Sequence, residues 1–233
     1  PLRPGEHCMK KIVFVLSGGP IQDAGFFREQ CECCQPVSTI CADGGARHAY
    51  HMGIVPDLII GDMDSLDGAL QGHFVRQGSR IMRYPRSKDE TDTHLALEMA
   101  FMTAPDEIRV FGAIGARLDH TLANLSLLVL AAKRGFPVRL VDEWCEIFAV
   151  REKALIEGEP GQTVSLFPFG SDVTGITLEG FEYPLTDAAM TVSRPYGISN
   201  RLISAPGVIT VESGHLLVIR YIRAGRFPGE EMS

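Results

Sequence analysis

The sequence predicts an α/β fold with an added all-β part: an N-terminal α/β domain on a parallel sheet over residues 9–150, then a β-sandwich domain over residues 151–233. Two observations carry this reading. Up to Val150, apolar strand-like runs alternate with helix-like segments, the order that builds a parallel sheet. Beyond it, six short β-rich runs follow one another across Gly/Pro/Asp turns with no convincing helix, the spacing of a sandwich or barrel. A third observation bears on function. Acidic residues recur where strands end and helices begin, and open α/β sheets bind ligands outside the C-terminal ends of their strands.

The elements follow in order. Lys11 to Leu16 is a strong first strand, broken by Ser17-Gly18-Gly19-Pro20. Those glycines let backbone approach a phosphate, although the full G-x-G-x-x-G dinucleotide pattern is missing and a plain turn accounts for them equally. Phe26 to Cys34 is a weak helix, and Val37 to Ala42 a second strand ending in Asp43-Gly44-Gly45-Ala46. A helix over Arg47 to Met52 leads to the third strand, Asp57 to Ile60, which runs into Gly61-Asp62-Met63-Asp64-Ser65. Gly68 to Gln77 reads as a helix and Arg80 to Arg83 as a short strand. Arg86-Ser87-Lys88-Asp89-Glu90-Thr91-Asp92 opens a helix running to Met102, with Leu95, Met99 and Met102 at helical spacing. Asp89 would serve as its N-cap, and Asp92 would favour the positive end of the helix dipole. Glu107 to Phe111 is a strand, and Gly112 to His120 is a glycine-bearing loop before a helix, a ready anion site. The helix from Asp119 to Lys133 is apolar almost all round and is expected to be buried. Val138 to Val141 closes the first domain. The strands of the second are 154–157, 163–167, 173–178, 188–192, 208–212 and 216–222.

Composition narrows the class. Of 233 residues, 45% are hydrophobic and 22% charged, which allows a sizeable core without staples. A net charge of −7 argues against a broad nucleic-acid or anionic-membrane surface. No apolar run reaches the roughly 18 residues of a membrane helix, and the opening segment lacks a signal-peptide core, so a cytoplasmic protein is expected. Met9-Lys10-Lys11 looks like a natural start, with residues 1–8 an extension. Cys31-x-Cys33-Cys34 has no second Cys or His pair at zinc-site spacing and reads as reduced thiols.

Acids therefore sit at four segment ends: Asp43, Asp62 with Asp64, Asp89 with Asp92, and Asp119. Any one of them alone is accounted for as a turn or cap residue. Together, in a parallel sheet, they share one edge. Carboxylates so close repel unless a cation or proton intervenes. Arg86, Lys88 and Arg117 accompany them. Mg²⁺ with a polyphosphate satisfies both signs of charge, because Mg²⁺ binds through one or two carboxylates plus phosphates. There is no G-x-x-x-x-G-K-[ST] loop, no G-x-S-x-G elbow and no H-E-x-x-H. Among the histidines only His120, beside Asp119, draws notice.

The series Ala42-Asp43-Gly44-Gly45-Ala46, Gly61-Asp62-Met63-Asp64-Ser65, Lys88-Asp89-Glu90-Thr91-Asp92 and Gly115 to His120 with Asn124 resembles the thiamine pyrophosphokinases. The resemblance continues through Ser165 to Pro168, Gly180 to Leu185 and Gly197-Ile198-Ser199-Asn200, so it spans residues 9 to 222 in order. It implies an α/β catalytic domain followed by a β-sandwich, a homodimer, and Mg²⁺-dependent transfer of pyrophosphate from ATP to the thiamine hydroxyl, giving thiamine diphosphate and AMP. Carried over by motif, Asp62, Asp64, Asp92 and Asp119 are the catalytic candidates, the first three as metal ligands. Asp43, Gly44, Lys88, Asp89 and Arg117 fall on the ATP side, Ser199 and Asn200 on the thiamine side. Some relatives stack thiamine on a tryptophan after the Ser-Asn motif. Here Arg201-Leu202-Ile203-Ser204 holds none, and the single tryptophan, Trp144, lies elsewhere. Two other readings stand: a D-x-D nucleotide-sugar glycosyltransferase, which does not predict a Ser-Asn motif in a β domain, and a non-catalytic sensor of thiamine or nucleotide.

Overall fold

A strand buried at every position, as Ile12-Val13-Phe14-Val15-Leu16 is, needs a layer on each face and a partner on each side. In the computed structural model, which describes residues 10–115, 117–225 and 227–228, this strand, β1 (Ile12–Leu16), lies between parallel neighbours. The chain continues through α1 (Ala24–Cys34), β2 (Ser38–Ala42), α2 (Gly45–Met52), β3 (Leu58–Gly61), α3 (Gly68–Arg76) and β4 (Arg80–Arg83). It then crosses by α4 (Asp92–Phe101) to β5 (Glu107–Phe111) on the other side of β1, and by α5 (Leu118–Lys133) to β6 (Val138–Val141). The parallel order is therefore β6-β5-β1-β2-β3-β4, and the winding reverses between β1 and β5, where open sheets form their ligand crevice.

Three apolar clusters account for the layers. Phe27 of α1, Ala46 and Ala49 of α2 and Phe74 of α3 pack with Phe14, Ile59 and Phe111 on one face. Leu95, Ala96 and Leu97 of α4 and Leu128 of α5 cover Val13, Val15 and Val110 on the other. The helix α5 departs from its expected full burial. Only Asn124, Leu128 and Ala131 are buried, while Leu118 and Leu122 are 70% and 51% exposed. It is an outer-layer helix, supported from one side by β6, β7 and α4.

The second half consists of β7 (Cys145–Val150), β8 (Lys153–Ile156), β9 (Thr163–Pro168), β10 (Val173–Glu179), β11 (Leu185–Met190), β12 (Gly197–Arg201), β13 (Gly207–Thr210) and β14 (Leu216–Tyr221). Strands β7, β14, β9 and β12 add antiparallel to β6, giving one ten-stranded sheet of order β12-β9-β14-β7-β6-β5-β1-β2-β3-β4. A separate antiparallel sheet, β11-β10-β13-β8, faces that extension, and Phe148, Leu166 and Val218 meet Ile176, Leu178 and Ile209 between the two. The fold is thus α/β followed by a β-sandwich-like part, as expected, with the parallel sheet and one layer of the sandwich continuous. Two strands, β7 and β12, were not anticipated. Among the described residues, no helix is long and apolar enough to cross a membrane.

Candidate active site

The parallel register of Ala42 with Ile60 sets the ends of β2 and β3 side by side, and the Asp43 N–H donates to the Ile60 carbonyl at 2.8 Å. The chain then turns sharply at both ends. Asp43 has φ 36° and Met63 has φ 64°, left-handed conformations that non-glycine residues hold mainly where the surroundings impose them. The first turn of α4 brings Asp92 onto the same spot. Asp43, Asp62 and Asp92 each offer a carboxylate oxygen, all within 4.8 Å of one another. Gly61, at φ 150°, makes the convergence possible: a Cβ there would lie 2.8 Å from Asp43 Cβ and 3.0 Å from the Asp92 carboxyl.

Asp43 is only 5% exposed. Its Oδ2 accepts from the Ser65 N–H at 3.3 Å, whereas its buried Oδ1 has no hydrogen-bond partner among the described residues. Burial pushes its carboxyl above the ordinary range; the Ser65 hydrogen bond opposes this, and the charges of Asp92 and Asp62 add to it. A buried carboxylate with an orphaned oxygen, facing two more carboxylates, is a donor set suited to a hard divalent cation.

Cations from the 84–91 segment already attend these acids. Lys88 Nζ donates to Asp92 Oδ1 at 2.6 Å with its side chain mostly covered. Arg86 pairs with Asp64 at 3.3 Å in the open. Asp64 stands outside the trio of acids, its N–H donating to Asp62 Oδ1 at 3.0 Å. Asp43, placed on the nucleotide side by motif, stands inside it. Asp89 is exposed and does not cap α4; Thr91 does, accepting from the His94 N–H at 3.2 Å. Asp119 lies in the first turn of α5, bonded to Arg117 at 2.5 and 3.2 Å. That partner lowers the Asp119 carboxyl, and the pair is exposed.

Two adjoining cavities run along this edge. One of about 390 Å³ contains Asp43, Gly44, Arg47, Ser65 and Asp92. The other, about 260 Å³, lies between the loops after β1 and β5, at the reversal of winding, and includes Gly19, Gly112, Arg117 and Asn124. Gly18, Thr93 and His120 belong to both. The loops are held close: the Gly19 N–H donates to the Gly112 carbonyl at 2.9 Å, Ser17 and Thr93 hydroxyls meet at 2.9 Å, and Asn124 Nδ2 donates to Ala113 O at 2.8 Å. From α2, His48 Nε2 donates to the Gly19 carbonyl at 2.7 Å. Sequence reasoning missed His48 and Thr93. Their positions in the first turns of α2 and α4, each directly after an acid-bearing segment, were the available signal.

The Ser-Asn motif lies elsewhere. Ser199 is exposed, at φ 59°, and its N–H donates to Ser165 Oγ at 3.1 Å. Asn200 is buried: Oδ1 accepts from the Tyr183 and Arg201 N–H groups at 3.0 and 2.8 Å, and Nδ2 donates to the Tyr183 carbonyl at 2.8 Å. Asn200 thus clamps the 183 segment to β12 and shapes the surface that Ser199 presents. Strand β12 lies at the far edge of the ten-stranded sheet from β3. At about 4.8 Å per strand, the motif and the acid cluster are separated by on the order of 40 Å along the sheet within one chain.

Comparison with known proteins covers both halves. The sequence model of the thiamin pyrophosphokinase catalytic domain matches residues 35–140, and that of the thiamin pyrophosphokinase vitamin B1 binding domain matches residues 151–218. Thiamine pyrophosphokinase of Bacillus subtilis is 31% identical over 215 residues, covering 90% of this chain and 98% of the relative. The crystal structure of thiamine pyrophosphokinase from Bacillus subtilis superposes with a TM-score of 0.79 at 30% identity, covering 91% of this chain and 99% of that one. That of thiamin pyrophosphokinase from Geobacillus thermodenitrificans does so with 0.78 at 29%, covering 93% and 100%. Neither the glycosyltransferase nor the sensor reading is favoured by these matches. With the catalytic and vitamin-binding models matched in order and a relative aligned along nearly its whole length, the chain belongs to the thiamin pyrophosphokinase family of enzymes.

Proposed function

We propose that the chain transfers a pyrophosphoryl group from ATP to the hydroxyethyl oxygen of thiamine, with Mg²⁺ as cofactor. The observation that carries the reading is the trio Asp43, Asp62 and Asp92 beside the cleft between the β1 and β5 loops. These three would hold the ion, which when bound neutralises charge on the polyphosphate. The cleft takes the nucleotide, with backbone from Gly18, Gly19 and Gly44 at its wall. Lys88 and Arg117 supply positive charge toward phosphate oxygens, a contribution of the kind that dominates phosphoryl transfer. The thiamine oxygen forms a bond to the β-phosphorus, the bond from that phosphorus to the α,β-bridging oxygen breaks, and AMP leaves with that oxygen. The hydroxyl proton passes to a carboxylate, for which Asp62 is the better placed because Lys88 engages Asp92.

Ser199 and Asn200, far from the cluster in one chain, serve the thiamine of a second copy, so the working unit is a homodimer and residues 9–150 and 151–233 act as the nucleotide and thiamine parts. Cys31, Cys33, Cys34, Cys41 and Cys145 are all free, which supports a reducing, cytoplasmic location. The test is to incubate the protein with ATP, Mg²⁺ and thiamine and identify the nucleotide formed. AMP with thiamine diphosphate supports the proposal; ADP, or no product, overturns it. Asp62→Asn is expected to lower turnover at least a hundredfold while leaving the thermal midpoint close to wild type.

A further inference from the structure

Beside the acid cluster, α2 and α3 face each other across a groove of about 480 Å³. Arg47 and His51 project into it from α2, His73 and Arg76 from α3. Their spacings, i,i+4 and i,i+3, put each pair on one helix face. The Tyr50 ring stands edge-on to His73 at 5.1 Å and fixes the wall between them. One acid lines the groove, Asp67, and its Oδ1 is committed to the Leu70 N–H at 2.8 Å as the N-cap of α3. Among the described residues, Arg47 and Arg76 have no carboxylate within ion-pair distance, whereas Arg86, Lys88, Arg117, Arg134, Arg139 and Arg220 each have one. A chain of net charge −7 thus brings two guanidinium groups and two imidazoles from separate helices to one concavity against a single lining carboxylate, with neither guanidinium in an ion pair among the described residues.

We propose that the α2–α3 groove is a second anion site, for a phosphate group, distinct from the acid cluster. Guanidinium forks bind phosphate oxygens in pairs, and imidazole N–H groups donate to them in either protonation state. Arg47 and His51 also line the cavity around Asp43 and Asp92, so a phosphate in the groove lies next to the cluster and shares two of its walls. The cluster repels such an anion when no metal is bound, which separates the two sites experimentally.

The experiment is calorimetric titration of the full chain in EDTA with inorganic phosphate, pyrophosphate and AMP as probes. Pyrophosphate is expected to bind. Arg76→Glu, at an exposed position on α3 outside the catalytic cleft, should weaken it at least tenfold, as loss of a charge-assisted contact predicts. Arg76→Lys should keep most of the affinity, and Asp62→Asn, which removes one repelling charge, should not weaken it. AMP binding at least tenfold tighter than phosphate, with the gain lost in Arg76→Glu, identifies a nucleotide as the natural source; equal affinities identify free phosphate. No binding of phosphate or pyrophosphate into the millimolar range overturns the site. So does affinity indifferent to Arg76→Glu, or affinity lost in Asp62→Asn. None of these readouts depends on thiamine turnover, so the site and the proposed reaction fail separately.

Discussion

Gly61 is the residue on which the acid cluster turns, because Asp43 and Asp92 both close in on the space that a side chain there would occupy. Its φ of 150° strains any side chain, and a methyl group would meet Asp43 Cβ, which cannot swing away, at 2.8 Å. Gly61→Ala is therefore expected to destabilise the fold by about 1–3 kcal/mol and to weaken divalent-ion binding more than that loss explains. Urea unfolding and Mn²⁺ titration of the variant check both, and unchanged ion affinity would refute the geometry. His48 offers a pH test. Burial holds its imidazole below the ordinary value of 6.5, against the opposing hydrogen bond to the Gly19 carbonyl. The unfolded chain thus binds the proton more tightly than the folded one. The stability owed to neutral His48 is present above 6.5 and is lost as pH falls from there through the depressed folded value. His48→Gln keeps a donor for Gly19 without titrating, so the urea midpoint of the wild type should fall more steeply on mild acidification than that of the variant. At this scale Asp62 and Asp92 were legible as acids at segment ends. The exchange of Asp64 for Asp43 in the cluster was not, because it depends on the left-handed turn at Met63, which carries Asp64 over to Arg86, and methionine gives no sign of such a turn.

Elements explain why the cluster forms on one edge and which strands escaped notice. The helix α4 starts at the cluster only because Thr91 caps it, so its cap and its functional acid are neighbours in sequence. Thr91→Ala should cost about 1 kcal/mol of stability and, by fraying the turn that holds Asp92, lower ion affinity as well. Amide exchange at His94 and Leu95 reports the fraying directly, and protection there equal to wild type would count against it. The inner parallel strands β1, β3 and β5 were read correctly because their runs are largely buried on both faces, whereas the edge strand β4, Arg-Ile-Met-Arg with no buried residue, was legible only by its place between two helical segments. β12 was not, since Gly-Ile-Ser-Asn-Arg inverts the usual signal: Ile198 is exposed and Asn200 is buried. That inversion is intelligible in an edge strand whose inward position carries an amide clamp. β7 was hidden differently. It follows β6 after the short 142–144 turn, fastened by Asp142 Oδ1 accepting from the Trp144 and Cys145 N–H groups at 2.8 Å, and its run ends at the expected domain boundary.

At the scale of the whole molecule, the two halves share one sheet, and a charged ladder crosses the join. Glu107 accepts from Arg109 at 2.6 Å, and Glu146 from Arg139 and Arg220 at 3.0 and 2.8 Å. These half-buried pairs span β5, β6, β7 and β14 between the area covered by α1 and the area covered by the small sheet. Such a continuous sheet holds β12 and the acid cluster at fixed, distant stations, so one chain cannot bend to bring Ser199 to Asp62. If the site is completed by a second copy, each defect is confined to one kind of half-site. Dimers that pair an Asp62→Asn chain with an Asn200→Ala chain have one site spoiled twice and one site intact. Differently tagged chains, co-expressed and purified through both tags, are therefore expected to show about half the wild-type activity per dimer, while each variant alone is nearly inactive. Recovery of that size cannot come from refolding or from a more stable mixture, because neither parent contains a complete site to rescue. Mixed dimers as inactive as their parents would place both residues' roles within a single chain, and a doubly tagged sample that cannot be isolated would refute the homodimer itself.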